Sequence, residues 1–281
     1  MANKKRKAKA AVMAVTTALT VAIGTVLGLS ASMTGGADMR ASLDIAPSPF
    51  KDRKVAMLTS LPLFTPEAYD IADQLAATNY HPLGETLNQR YALGVHDVLE
   101  AGLADDPELL ILAQARPFTP DELVQFDDWL RAGGEALVFA DPMLHWPSIF
   151  HYGDPRRPEG VTLLSPLFAH WGLEQRIDEN QPEETWLVRV DSDIVPVMQA
   201  GHFVIQPTDT DDSCTVRASG LIADCRVGKG RVQVIADAEM LQPQYFGIDS
   251  DHADPGHTHS SAELHGTGAV VIDWIDAMLS R

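Results

Sequence analysis

ELLILAQARPFTPDELVQFDDWLRAGGEALVFADP, residues 108–142, holds a strand, a helix and a second strand in one stretch. Leu109 to Ala113 is an unbroken apolar run, the composition of a strand buried on both faces. Thr119-Pro120-Asp121-Glu122 has every part of a helix start. It offers a hydroxyl N-cap, proline at the first helical position, and a glutamate that can fold back onto the cap. Leu123, Phe126, Trp129 and Leu130 then recur at helical spacing until Gly133-Gly134 ends the helix. EALVFADP (135–142) follows as another buried strand. Two strands joined by a capped crossover helix belong to a parallel sheet.

The same alternation extends outward. KVAMLTSL (54–61) is a compact apolar strand. Thr65-Pro66-Glu67 predicts a helix start, and Ala68, Ile71, Ala72, Leu75 and Ala76 give that helix one apolar face. YALGVHDVL (91–99) reads as a weaker strand, and RVQVIADAEML (231–241) as the last core strand. Val270, Val271, Trp274, Ile275 and Met278 set a closing helix over Thr267 to Leu279. Between Leu173 and Arg231 the pattern is β-rich, with WLVRVDSDIVPVM and HFVIQP leading to the turn Gly228-Lys229-Gly230. The fold class is therefore α/β: a three-layer, mostly parallel sheet with an antiparallel β extension. No repeat and no second domain boundary interrupts residues 54–281.

The chain has 281 residues and a formal net charge of −18, with 45% hydrophobic and 21% charged residues. That composition is globular, and its acidity excludes nucleic acid as a partner, since phosphate binding needs clustered Lys and Arg. The charge is uneven. Lys4, Lys5, Arg6, Lys7 and Lys9 form a basic arm (1–10), leaving 16 basic against 39 acidic residues, or −23, for the rest. Ala10 to Ala37 carries no charge, and its centre, AVMAVTTALTVAIGTVLGLSA (11–31), is long enough for a membrane-spanning helix. A cleaved signal peptide is the competing reading, but the run exceeds a usual apolar h-region, which favours an uncleaved anchor. Either way the basic arm stays cytoplasmic and everything after Ala37 is exported. The expectation is a single-pass inner-membrane protein with one N-terminal transmembrane helix and a periplasmic C-terminal domain. Residues 32–53, with Pro47 and Pro49, read as a tether to the α/β domain at 54–281.

Export places Cys214 and Cys225, the only cysteines, in an oxidising compartment. If Ser219-Gly220 is a two-residue hairpin turn, Ala218 faces Leu221 and Cys214 falls opposite Cys225, which predicts a cross-strand disulfide. In that register the pair takes a hydrogen-bonded position, where Cα atoms stand farther apart.

Ligands of parallel sheets bind outside the carboxyl ends of the strands. The residues expected there include Ser60 after the first strand, Gln114 after the third, Asp141 after the fourth, and Asp237 with Glu239 after the last. Three carboxylates meeting at one edge suit acid/base or cation chemistry, although Asp at a strand end also caps turns. DHADPGHTHSSAELH (251–265) brings His252, Asp254, His257 and His259 into a loop over the same edge. These suit Zn or another borderline divalent ion, though the spacing matches no stringent zinc motif, and a solvated loop is the simpler alternative. The long connection 142–164 carries His145, Trp146, Arg156 and Arg157. Aromatic faces and paired arginines could hold a carboxylate or a sugar, or the loop could pack across the edge by its own aromatics. Walker A, G-x-G-x-x-G and G-x-S-x-G signatures are all missing, so neither nucleotide hydrolysis nor a common nucleophile is indicated.

LLILAQARPFTPDELVQFDDWLRAGGEALVFADP, GKGRVQVIADAEML and the terminal IDWIDAML resemble the exported domains of ABC-type transport-system proteins of the gliding-motility auxiliary kind. Those domains are similar to class I glutamine amidotransferases, so the resemblance, spanning residues 54–281, implies a flavodoxin- or amidotransferase-like sheet. It implies no amidotransferase chemistry. The family's nucleophilic cysteine follows a core strand in a tight elbow, whereas here that strand ends Gln114-Ala115-Arg116. Its His-x-Glu partner has only Asp237-Ala238-Glu239 as a counterpart.

The function expected from the sequence is a membrane-anchored extracytoplasmic binding or assembly module without catalytic residues, accessory to an ABC-type system and needing no cofactor. The rival is a metal-dependent envelope hydrolase using Asp141, Asp237 and the 252–259 histidines. A sugar- or peptide-binding protein built on the 142–164 loop is a third reading.

Overall fold

A computed structural model describes residues 48–77, 80–246 and 267–281. The basic arm, the apolar segment 11–31 and the first part of the tether lie outside these residues. So do His252, Asp254, His257 and His259. Among the described residues no helix is long and apolar enough to cross a membrane.

Seven strands form the central sheet, in the spatial order β2-β1-β3-β4-β11-β10-β9. They are β1 (Lys54–Thr59), β2 (Ala92–Val95), β3 (Leu109–Ala113), β4 (Glu135–Phe139), β9 (Ser213–Arg217), β10 (Ile222–Val227) and β11 (Gly230–Ile235). The first five in that order pair in parallel, and β10 and β9 add on antiparallel. Two antiparallel ribbons stand apart: β5 (Leu173–Ile177) with β8 (Gly201–Ile205), and β6 (Trp186–Val190) with β7 (Asp193–Val197). The mixed α/β architecture expected from the sequence is present, mostly parallel with an antiparallel extension.

Alternation along the strands divides the core in two. Val55, Met57, Leu109, Ile111, Leu137 and Phe139 pack against Leu83 and Leu87 of α2 (Pro82–Arg90) and Val271, Ile275 and Met278 of α6 (Thr267–Leu279). Ala56, Leu58, Leu110, Leu112, Ala136 and Val138 face the other way. There they meet Leu99 of α3 (Leu99–Ala104), Phe126 and Leu130 of α4 (Pro120–Ala132), and Phe168 of α5 (Ser165–His170). Helices thus cover both faces, which is why every residue of β3 is buried. Thr119 and Glu122 close the reciprocal capping box, and Gly133 ends α4 at φ 127°.

The first expected helix is different. Thr65-Pro66-Glu67 does not open it; α1 runs only Ile71–Ala76, with Asp70 capping Asp73 N–H at 2.8 Å. Glu67 is drawn away by Ser148 Oγ and the Ile149 N–H, both donating at 2.8 Å. A capping carboxylate therefore has to come from Asp70. Of the apolar face anticipated for this helix, Ile71, Ala72, Leu75 and Ala76 are exposed and Ala68 is half-buried.

Cys214 and Cys225 pair across β9 and β10 in the anticipated register and are bonded. Their hydrogen-bonding position needs correction. The Cα atoms are 4.0 Å apart, the spacing of a narrow, non-hydrogen-bonded pair. The reason is in the turn. Ala218 and Ser219 both take left-handed φ; Leu221 N–H donates to the Ala218 carbonyl at 3.1 Å, but the Leu221 carbonyl accepts from Ala236 N–H rather than from Ala218. A wider connection, Ala218 to Leu221, leaves Arg217 and Ile222 as the first pair and shifts the alternation by one.

Candidate functional site

β1 turns to β2 on one side while β3 and β4 continue on the other, so the strand order reverses between β1 and β3. A doubly wound sheet opens its ligand crevice at the carboxyl ends of such a pair. Ser60 and Gln114 occupy that point. Gln114 has φ 44°, a left-handed conformation that costs a non-glycine residue about 1 kcal/mol or more. It is 1% exposed, and its amide is fully engaged. Nε2 donates to the carbonyls of Glu159 (2.9 Å) and Asp141 (3.2 Å), and Oε1 accepts from Asp141 N–H (2.8 Å). Ser60 Oγ donates to the Gln114 carbonyl at 2.6 Å and accepts from Glu159 N–H at 2.9 Å. The crevice is thereby closed by hydrogen bonds that tie the 142–164 connection to the sheet.

Directly beside it, Asp141, Asp237 and Glu239 meet. Each offers an oxygen within 4.8 Å of the others, and none is more than 1% exposed. Strand ends deliver Asp141 and Asp237, because β4 and β11 are paired neighbours running the same way. A short 3₁₀ turn, Glu239–Leu241, delivers the third carboxylate. Backbone amides account for most of their oxygens. Asp141 accepts from Met143 and Ala238 N–H, both at 2.8 Å, and Asp237 from Met240 (2.9 Å) and Met198 (3.1 Å). Glu239 Oε1 accepts from His145 N–H. Glu239 Oε2 is buried and receives no donor from the protein.

Three buried carboxylates cannot all stay ionised at this separation. Burial pushes the Glu239 carboxyl up to about 11, helped by its contact with Asp141 and by the charges of Asp141 and Asp237. Burial, then the Asp141 charge, raises Asp237 well above the usual carboxylate range. Asp141 is also raised by burial, with the Glu239 contact and its two amide donors opposing. A proton on Glu239 Oε2, directed at Asp141, supplies the missing donor and removes one charge. The five amide bonds come from the β4 connection, the β7–β8 turn and the segment after β11, so this acid knot fastens three loops to one point.

The remaining candidates are dispersed. His145 is exposed, with Nδ1 3.7 Å from Glu239 Oε1. Trp146 is buried and lies roughly parallel to His81, with ring centroids 6.2 Å apart. Arg156 is bidentate to Asp154 and sits 4.0 Å over the Phe150 ring. Arg157 donates to the carbonyls of Phe150 and Trp146 and lies 4.3 Å under Tyr152. Both arginines are occupied within the connection, which packs across the edge through its own aromatics. Sequence reasoning missed His81, a buried residue whose Nδ1 accepts from Leu83 N–H at 3.2 Å. Burial lowers its pKa to about 4, so the ring is neutral. Pro82 after it is the one signal for this cap, since proline favours the first turn of a helix.

A family model described as "ABC-type uncharacterized transport system" matches residues 52–210, more than half of the chain. No curated protein matches. Among solved structures, the N-terminal domain of mmIFT52 is 13% identical, with TM-score 0.45, over 82% of this chain and 97% of that one. A cytoplasmic protein from Salmonella typhimurium is 10% identical, with TM-score 0.41, over 80% of this chain and 97% of that one. An exo-β-1,4-mannosidase from Opitutaceae bacterium strain TAV5 is 14% identical, with TM-score 0.41, over 81% of this chain. The chain spans about a third of that mannosidase's length (36%).

Proposed function

The chain belongs to the ABC-type uncharacterized transport system family, and on that basis we propose that it is a binding or assembly subunit without catalytic residues, accessory to such a system. Residues 11–31 hold it in the inner membrane, with an amidotransferase-like domain in the periplasm. The observation that carries the non-catalytic reading is Gln114. It stands in the strained position at the end of β3 where the resemblance would require a cysteine, and its amide is spent on holding the loop down. Affinity purification of the full-length chain from detergent-solubilised host membranes tests the association. Copurification of an ABC membrane subunit and ATPase is expected; recovery of the chain alone would sink the proposal.

The meeting of Asp141, Asp237 and Glu239 favours a second reading, a metal-dependent hydrolase. Against it, both oxygens of each aspartate already accept an amide N–H, and the cluster is sealed from solvent. Metal analysis separates the two: stoichiometric Zn abolished by His257→Ala with His259→Ala, or by Glu239→Gln, would support the hydrolase.

A further inference from the structure

We infer that α1 and the cleft beside it dock an apolar segment with basic flanks from the membrane subunit of the transport system, an inference that rests on the association proposed above. Ile71, Ala72, Leu75 and Ala76 lie together on α1, the pattern of a helix that packs against something. Among the described residues α1 buries no side chain, and Ile71 and Leu75 are 74% and 83% exposed. At its foot lies a cleft of about 380 Å³ between residues 60–74 and the wall formed by Phe150 and Arg156. Apolar knobs four residues apart beside such a cleft suit a partner helix.

Charge selects the partner. Asp70 and Asp73 flank the ridge and are exposed, while Arg156, which lines the cleft, is already committed to Asp154. A second copy of this acidic chain would set carboxylates against carboxylates, whereas a segment flanked by Lys or Arg complements them.

The test compares full-length wild type with Ile71→Glu/Leu75→Glu in copurification with the ABC membrane subunit and ATPase. Both replaced side chains are exposed, so an unchanged melting temperature serves as the folding control. The expected result is at least a tenfold loss of the membrane subunit from the variant. Equal recovery with both proteins would overturn the docking surface and leave the association standing; no recovery with wild type would overturn both. Asp70→Asn/Asp73→Asn, which keeps an N-cap, should weaken binding and reduce its salt dependence, and unchanged binding would refute the basic flanks. Binding of a fragment from Ser48 onward to 1:3 phosphatidylglycerol/phosphatidylcholine vesicles, lost with Ile71→Glu/Leu75→Glu, would reassign the face to lipid and overturn the inference.

Discussion

Replacing Glu239 by glutamine should stabilise this protein at alkaline pH and remove most of its pH dependence there. Glutamine keeps the acceptor for His145 N–H and puts a permanent donor where the shared proton sits, facing Asp141. In the wild type that proton has to be taken up on folding. Glu239 has an ordinary carboxyl value of 4.5 when unfolded and about 11 when folded. A raised carboxyl binds its proton more tightly in the native state, so its contribution to stability is fully present below pH 4.5 and is lost as pH rises. The loss is about 1.4 kcal/mol per pH unit for each proton held.

His81 acts with the opposite sign. Its folded value is lowered from 6.5 to about 4, so stability is full above pH 6.5 and declines as pH falls towards 4. Between pH 4.5 and 6.5 the two slopes cancel, giving a plateau. Above 6.5 the His81 slope is gone and the raised carboxyls remain: the Glu239 proton alone should cost wild type about 3 kcal/mol between pH 6.5 and 8.5, with Asp237 acting in the same direction. Urea unfolding of a fragment starting at Ser48, followed by tryptophan fluorescence across this range, measures both features. Glu239→Gln should flatten the alkaline limb and exceed wild type at pH 8.5 by up to about 5 kcal/mol. A wild-type curve flat from 6.5 to 8.5, or an equal slope in the variant, would refute the shared proton.

The disulfide closes a short hairpin loop, with the cysteines 11 positions apart. Cys214→Ser with Cys225→Ser should therefore cost about 3 kcal/mol in the same urea experiment, and reduction of wild type should reproduce the loss. Arg131 bridges Asp127 and the buried Asp212, linking α4 to the segment before β9. Arg131→Ala leaves Asp212 unpaired and should destabilise by about 3 kcal/mol, an effect that shrinks at acid pH where the carboxylate protonates. Gln114→Ala keeps the unfavourable φ and orphans Asp141 N–H with two carbonyls. A loss of about 2–3 kcal/mol is expected, with faster amide exchange at Glu159 in hydrogen-exchange mass spectrometry.

Much of the fold was legible because its signals are local. The capping box at Thr119 and Glu122, the apolar β3 and the 267–279 helix each specify themselves within a few residues. The convergence of Asp141, Asp237 and Glu239 was legible too, since parallel strands bring their carboxyl ends to one edge. Their fate was not. Whether a carboxylate faces solvent or is tied down by Met198 and His145 amides depends on loops distant in sequence. The start of α1 failed for the same reason, because Ser148 and Ile149 take Glu67 from across the fold. Left-handed φ at Ala218 and Gln114 has no compositional mark, as glycine would be the usual signal.

Native mass spectrometry of the full-length chain, purified from host membranes without crosslinking, tests the central claim most directly. A defined assembly with an ABC membrane subunit and its ATPase is the expected result. A chain that is recovered only by itself, or that carries stoichiometric metal and hydrolyses envelope substrates, would contradict it.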